Sequence, residues 1–446
     1  MAELKGSSKQ DVYNAINRAF NVKNVMAQMP AYQRADILTR TAQLIDKQKN
    51  EIAELIVTES GKPIRYARSE VGRSIETFMF SADAARNLHG ETIPMDAAKG
   101  CVGKIGYYIR VPVGIIGAIT PFNFPLNLVA HKVGPAIAAG CPIVLKPSPI
   151  TPLTAQLLAE ILQEAGLPRG AFEVLVGGTE VGKWLTTDPR IAMITFTGSP
   201  TVAKAISQIA GIRRTTFELG GNAGVIIDKD VNLNDVVINS LLTGSFAYSG
   251  QVCISVQRIY IHNTLYDKFK TSFIKKIRHL KIGDPMKDET DIGPLISKNT
   301  NKRITSWIEE AICQGATLLT GGKGKDLMMQ ATVLENVTDS MQVMRDEIFG
   351  PVVNLISYDD FETALKALDN SEFGLQAGIF SSDLAKIMQA IKQLDVGGVI
   401  INDIPTFRVD QMPYGGNKNS GVGREGPKFA IKDMTTLKTV VINPQH

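Results

Sequence analysis

Between Val113 and Ile227 the chain alternates short apolar runs with longer helical stretches, and this alternation limits the fold more than any other feature. The runs occupy residues 114–119, 143–145, 172–176, 193–196 and 225–227. Between the second and third lies 154–165, where Leu158, Ile161, Leu162 and Ala165 face one way before Gly166 and Pro168 supply a stop. Strand, helix and strand in that order imply βαβ units. The expected core is therefore α/β, a doubly wound and mostly parallel sheet of the nucleotide-binding kind.

The flanks fill in the rest. Leu38, Ala42, Ile45, Ile52, Leu55 and Ile56 recur at helical spacing, Gly61 and Pro63 interrupt them, and a second helical run covers 64–88. Near Lys99 the character changes, and 102–111 reads as strand or hairpin. After Asp228 helical stretches (265–280, 301–314, 361–370, 384–394) again interleave with apolar runs (352–356, 399–401), which predicts a second α/β domain of typical size. Residues 438–443 read as one isolated strand, expected to pair with the 102–111 ribbon or with another subunit.

A chain of 446 residues is too long for one compact core, so two or three domains are expected. Its net charge of +4 is dispersed, and the doublets Lys275-Lys276 and Arg213-Arg214 read as solvated faces, which argues against a nucleic-acid partner. Residues 1–10 carry no apolar signal core, and apolar stretches such as 111–119 contain Pro and Gly and fall short of a membrane span. Cys101, Cys141, Cys253 and Cys313 have no paired spacing, and five scattered histidines form no HExxH motif. A cytoplasmic, reduced, metal-free protein is the expectation.

The GxGxxG fingerprint is missing. In its place, Phe196-Thr197-Gly198-Ser199-Pro200 ends a strand and opens a helix, so free N–H groups could face a pyrophosphate. Four further segments stand out. Thr120-Pro121-Phe122-Asn123-Phe124-Pro125 sets an amide between aromatics. Phe217-Glu218-Leu219-Gly220-Gly221-Asn222 sets a carboxylate against a glycine pair that lets other groups approach. Gly250-Gln251-Val252-Cys253 places a thiol after a flexible turn, and Glu347-Ile348-Phe349-Gly350-Pro351 joins a carboxylate to an aromatic. Singly, each has a plain structural reading: a buried cysteine, a turn asparagine, a solvated strand-end glutamate, a core phenylalanine.

Together, with Leu145-Lys146-Pro147-Ser148 and Pro413-Tyr414-Gly415-Gly416, they resemble the aldehyde dehydrogenase superfamily from about Gln10 onward. Residues 405–426 together with Gly250–Ser255 look most like lactaldehyde dehydrogenases and similar short-chain aldehyde enzymes. The resemblance implies an NAD(P)-binding domain of Rossmann type (1–98 and 112–219), a catalytic domain (220–428) and a β oligomerisation arm (99–111 and 429–446). It implies Cys253 as nucleophile, Glu218 as base, and the Asn123 amide with the Cys253 N–H as oxyanion donors, because hydride loss from a carbonyl needs a tetrahedral adduct first. Ile119, Thr120, Pro121, Phe122, Lys146, Ser148, Gly198, Ser199, Leu219, Glu347 and Phe349 would contact the cofactor, NAD or NADP.

Asn123, Phe407 and Arg408 would line the aldehyde site. An arginine there suits a hydroxylated or anionic aldehyde, such as lactaldehyde, succinate semialdehyde or glyceraldehyde 3-phosphate, although a surface or intersubunit Arg408 is equally open. A homodimer or homotetramer is expected, since unpaired strand edges are a liability in a monomer. Glu218 argues against a CoA-acylating relative, and the intact Cys253, Glu218 and Asn123 against a non-catalytic one. Two departures stand out. Pro149 occupies the place where many members carry a glutamate for the adenosine ribose, and the N-terminal end looks short by a few tens of residues.

Overall fold

The computed structural model describes residues 5–444. Two sheets organise it. The first has six strands in the order Gly421–Val422, Arg214–Glu218, Ile191–Thr197, Ile115–Ile119, Ile143–Lys146 and Phe172–Val174. All neighbours are parallel except the short Gly421–Val422 edge. Its pleat sends Ile116 and Ala118 into one apolar core and Ile115 and Ile119 into the other. Helices cover both faces, as buried parallel strands require.

Helices Ala31–Lys47, Lys49–Ser60 and Ile64–Arg86 supply one cover through the apolar stripe seen in the sequence. Against them lies Asn127–Ala139, a helix buried at every position. A helix buried all round shows no 3.6-residue period, so its pattern was silent in the sequence.

The second sheet has seven strands: Thr317–Thr320, Thr332–Glu335, Val352–Tyr358, Val256–His262, Ala223–Ile227, Gln376–Phe380 and Gly398–Ile401. Only the first pair is antiparallel. A third, antiparallel sheet joins Glu91–Ile93, Ile105–Pro112 and Thr435–Ile442, with Ile105 opposite Ile442 and Pro112 opposite Thr435. The C-terminal strand thus finds its partner within its own chain. Glu91–Ile93, three exposed residues, joins this sheet ahead of the sequence change at Lys99.

The Arg213-Arg214 doublet is not merely a solvated face. Arg213 donates to the carbonyls of Ala210 and Thr186, and Arg214 to those of Asp433 and Thr435. Guanidinium forks can satisfy several carbonyls at once, which is why a charge doublet serves as a tie here. No helix among the described residues is long and apolar enough to cross a membrane.

Candidate active site

Register builds the first half of the site. Ile119 pairs with Lys146 on one side and Phe196 on the other, while Thr197 pairs with Glu218. The carboxyl ends of four parallel strands therefore deliver Thr120, Lys146, Gly198 and Leu219 to one edge, the place where open α/β sheets bind ligands. A one-residue slip would turn each of these side chains to the wrong face.

At that edge Gly198 N–H donates to the Glu218 carbonyl (3.0 Å), and the Ser199 hydroxyl caps helix Pro200–Ala210 by accepting from Val202 N–H (3.4 Å). Lys146 Nζ is buried with the carbonyls of Pro147 and Gly177 at 3.0 and 3.1 Å, and burial pulls its pKa down to about 8. The hydroxyls of Thr120 and Thr197 are buried without a hydrogen-bond partner. Buried polar atoms left open in this way suit a polar ligand that completes them. The Ser148 hydroxyl accepts from Ile150 N–H, Pro149 stands exposed, and Leu219 N–H donates to the Ser420 carbonyl.

The second half is built around Cys253. Cys253 follows three consecutive left-handed residues, Tyr248, Ser249 and Gly250 (φ 49°, 56° and 69°). Two of these are not glycine, a strained arrangement that surrounding bonds must hold. Tyr248 Oη donates to the Ser60 carbonyl and Ser249 Oγ to that of Gly293. The Asn123 amide donates to the Gln251 carbonyl at 2.9 Å, which sets it beside the cysteine loop.

The glycine pair does what the sequence suggested. A Cβ on Gly220 would strike the Glu347 carboxylate, and one on Gly221 would strike the Cys253 carbonyl. Gly221 N–H donates to Glu347 Oε1 (3.0 Å), and burial lifts the Glu347 carboxyl to about 7. Gln257 ties this corner together by donating to the Gly221 carbonyl and accepting from Ile348 N–H. Phe349 adopts φ 50° and meets the Phe122 ring edge-on at 5.9 Å.

Charge concentrates beside the thiol. Cys253 Sγ lies 3.1 Å from Tyr414 Oη, and Arg408 stacks on the Tyr414 ring with its guanidinium carbon 3.6 Å from the centroid. Arg408 Nη2 reaches Glu425 at 3.1 Å, and Lys132 reaches the other Glu425 oxygen at 2.9 Å. All three charged side chains are almost fully buried. Despite burial, Lys132 and Arg408 hold the Glu425 carboxyl down to about 2.

Glu218 is 2 % exposed and neither carboxylate oxygen has a hydrogen-bond partner. Burial first, then the negative charge of Glu425, lifts it well above the usual carboxylate range, against Arg408, Lys132 and Arg424. It is not the solvated strand end that its sequence position allowed. Burial likewise pushes the Cys253 thiol up to about 11, with Tyr414 and Arg408 acting in the opposite sense and Glu347 and Glu218 adding to the rise.

A thiol, a raised carboxyl and an amide donor thus meet beside a polar cradle, a set suited to acyl chemistry on a carbonyl. The profile described as "Aldehyde dehydrogenase family" matches residues 1–440. The chain belongs to the aldehyde dehydrogenase family. It is 44% identical to a 3-sulfolactaldehyde dehydrogenase of Priestia aryabhattai, over 99% of this chain and 92% of that one. A lactaldehyde dehydrogenase of Methanococcus aeolicus is 42% identical, over 98% and 93%.

Among solved structures, aldehyde dehydrogenase 21 from Physcomitrella patens in complex with succinate superposes with TM-score 0.96 at 43% identity, covering 98% of this chain and 92% of its own. Glyceraldehyde-3-phosphate dehydrogenase GapN of Methanocaldococcus jannaschii, complexed with NADP, gives 0.95 at 40%, covering 99% and 96%. The protein is accordingly an NAD(P)-dependent oxidoreductase of aldehydes. The open hydroxyls of Thr120 and Thr197 and the buried Lys146 fit such a dinucleotide.

The aldehyde dehydrogenase brings Cys253, Asn123, Glu218, Glu347 and Arg408 into one neighbourhood. Arg408 is buried within its own chain, so the surface reading of it falls away. Phe407 is 45% exposed, and its carbonyl accepts from Gln376. Sequence reasoning passed over Lys132 and Glu425. The signal was present, because a lysine inside the apolar run 126–140 is the kind of buried polar residue that carries information.

It also passed over Lys62 and Glu70, an ion pair with no exposed side-chain surface. Lys62 sits 3.8 Å from the Phe124 ring centroid and 4.6 Å from that of Tyr248, so one ammonium joins the Asn123 loop to the cysteine loop. Glu70 Oε1 also accepts from Leu126 and Asn127 N–H at the start of the buried helix. Burial lowers the Lys62 pKa, and the Glu70 carboxylate opposes that fall.

Glu70→Ala is expected to destabilise the enzyme by about 3–5 kcal/mol, the usual cost of leaving one buried charge unpaired. Glu70→Gln keeps an acceptor for the two N–H groups and should cost less. Thermal unfolding of the two variants side by side checks the order.

Proposed function

We propose that this enzyme oxidises a small hydroxylated or anionic aldehyde to the carboxylic acid through a thioester on Cys253. The single observation that carries the substrate class is the charge balance beside the thiol. Lys132 and Arg408, two buried cations, share one carboxylate, Glu425. Within this trio the cations outnumber the carboxylate, and Arg408 Nε is buried without a hydrogen-bond partner. An anionic or hydroxylated substituent would meet that surplus, whereas an alkyl tail would not. The names of the relatives agree in kind, with a sulfonate, a carboxylate product and a phosphate among them.

In this reading the Cys253 sulfur adds to the aldehyde carbon, and the Asn123 amide with the Cys253 N–H receives the oxyanion. A nicotinamide cofactor, when bound, would supply the hydride acceptor. Glu218 then takes a proton from the water that attacks the thioester, which frees the acid and returns the sulfur. The six-stranded sheet is the cofactor unit and the seven-stranded sheet the catalytic one, with Lys146, Ser148, Gly198, Ser199, Glu347 and Phe349 on the cofactor. Pro149 leaves no carboxylate to repel a 2′-phosphate, which favours use of both NAD and NADP. The three-stranded sheet, with Leu437, Val441 and Ile442 exposed, serves as an arm in a homodimer or homotetramer.

The test is a substrate panel read by absorbance of the reduced cofactor, with NAD and with NADP, in the presence and absence of CoA. Lactaldehyde, succinate semialdehyde and sulfolactaldehyde should exceed hexanal and benzaldehyde in kcat/KM, without a requirement for CoA. Arg408→Met should raise KM for the anionic members roughly tenfold or more beyond any change it makes for acetaldehyde, the worth of one charge-assisted contact. Equal changes in KM across charged and plain aldehydes would overturn the substrate assignment.

A further inference from the structure

We propose that Tyr414 is a further catalytic residue, whose phenol holds the Cys253 sulfur in its attacking, ionised form. The inference rests on the reading of Cys253 as nucleophile. The sulfur needs a partner, because a thiolate brought out of water is costly unless something replaces its hydration. Glu218 is not that partner in the structure, since neither of its oxygens is hydrogen-bonded. The group in hydrogen-bond contact with the sulfur is Tyr414 Oη, at 3.1 Å.

The phenol is held in place from three directions. Tyr414 N–H donates to the Glu425 carbonyl (3.1 Å) and Glu425 N–H donates back to the Tyr414 carbonyl (2.6 Å). The Glu425 carboxylate holds Arg408, and the Arg408 guanidinium lies 3.6 Å from the centre of the Tyr414 ring. Backbone bridge, ion pair and ring stack close on one another, so the hydroxyl is fixed before substrate arrives. Preorganised donors of this kind are worth most where water is excluded.

The same contact serves both states of the sulfur. As a thiol, Cys253 can donate to the phenol oxygen. When the thiol proton leaves to solvent, the sulfur keeps the electron pair and Tyr414 turns its O–H toward it without giving up its own proton. Tyr414 is suited to remain the donor, because burial and the neighbouring sulfur raise its pKa well above the ordinary phenol value, against Arg408. Four ionisable groups act on the sulfur: Tyr414 and Arg408 favour the thiolate, while Glu347 and Glu218 disfavour it. Removing the hydroxyl takes away the hydrogen bond that, with Arg408, opposes the two carboxylates.

The experiment follows alkylation of Cys253 by iodoacetamide against pH, with and without bound NAD, located by peptide mass mapping. Tyr414→Phe should alkylate roughly tenfold more slowly at pH 7.5, with its profile moved about one unit toward alkaline, while affinity for NAD stays as in the wild type. An unchanged alkylation profile in Tyr414→Phe would overturn the proposal. If Tyr414→Phe does not fold, Arg408→Met takes its place: an alkaline shift of the same profile supports the arrangement, and an unmoved profile overturns it. The nucleophile reading fails separately, when wild-type enzyme fully alkylated at Cys253 still oxidises aldehyde.

Discussion

Cys253→Ala is expected to lower aldehyde oxidation by roughly 10⁴-fold or more, the scale seen when a covalent nucleophile is removed. The fold should survive. Cys253 packs at the margin of a small cluster with Ile254, Leu375 and Tyr414, and the backbone turn before it is held by Tyr248, Ser249 and Gln251 instead of by the thiol. On the proposed reading cofactor binding should persist too, because most of the proposed cradle belongs to the six-stranded sheet.

The other three thiols form the control. Cys313 is exposed, Cys101 partly so, and Cys141 is buried with its sulfur against the Met434 carbonyl at 3.3 Å. Burial lifts the Cys141 thiol to about 11, and it packs in an apolar core. Their Ala variants should retain turnover. Steady-state rates of the four single variants, with NAD affinity measured alongside, separate loss of the nucleophile from loss of structure.

Glu218→Gln carries the second large effect, a fall of roughly 100-fold or more in turnover, as general-base loss usually gives. The geometry says where the fall should appear. Glu218 touches neither the sulfur nor any other group by hydrogen bond, so the amide should interfere little with adduct formation and chiefly with the attack of water. The first turnover should survive as a burst of reduced cofactor, and the steady state should collapse.

Its pH dependence has a defined sign. Burial and Glu425 raise the pKa of Glu218, so the fraction present as base grows as pH rises through a range above that of an ordinary glutamate. Wild-type deacylation should therefore climb with pH across that range, and the residual rate of Glu218→Gln should not follow this climb. Rapid-quench and steady-state rates over the same pH series check both points.

Much of this site was legible in the sequence because its parts are local. Thr120–Asn123 and Gly198-Ser199 each follow a strand whose apolar run gives it away, while Glu218–Gly221 and Glu347–Pro351 are marked by their glycine and proline punctuation. What stayed hidden is set by distance along the chain. Lys132 meets Glu425 across 293 residues, and Cys253 meets Tyr414 across 161. No pattern within one segment reports such pairs.

The strand Arg214–Glu218 escaped for a different reason, since Arg, Thr and Glu occupy four of its five positions and mask its buried half. The helix Asn127–Ala139 escaped because burial on all sides erases periodicity. Pro413-Tyr414-Gly415-Gly416 was visible as a motif, yet only the fold showed what the phenol touches.

The most direct measurement of the central claim is the intact mass of Glu218→Gln, quenched in acid during turnover of succinate semialdehyde with saturating NAD, followed by peptide mapping. One acyl group per chain, carried by the peptide containing Cys253 and released by hydroxylamine, is the predicted result. Reduced cofactor formed in the burst with no acyl group on Cys253, or with the group on another residue, would contradict it.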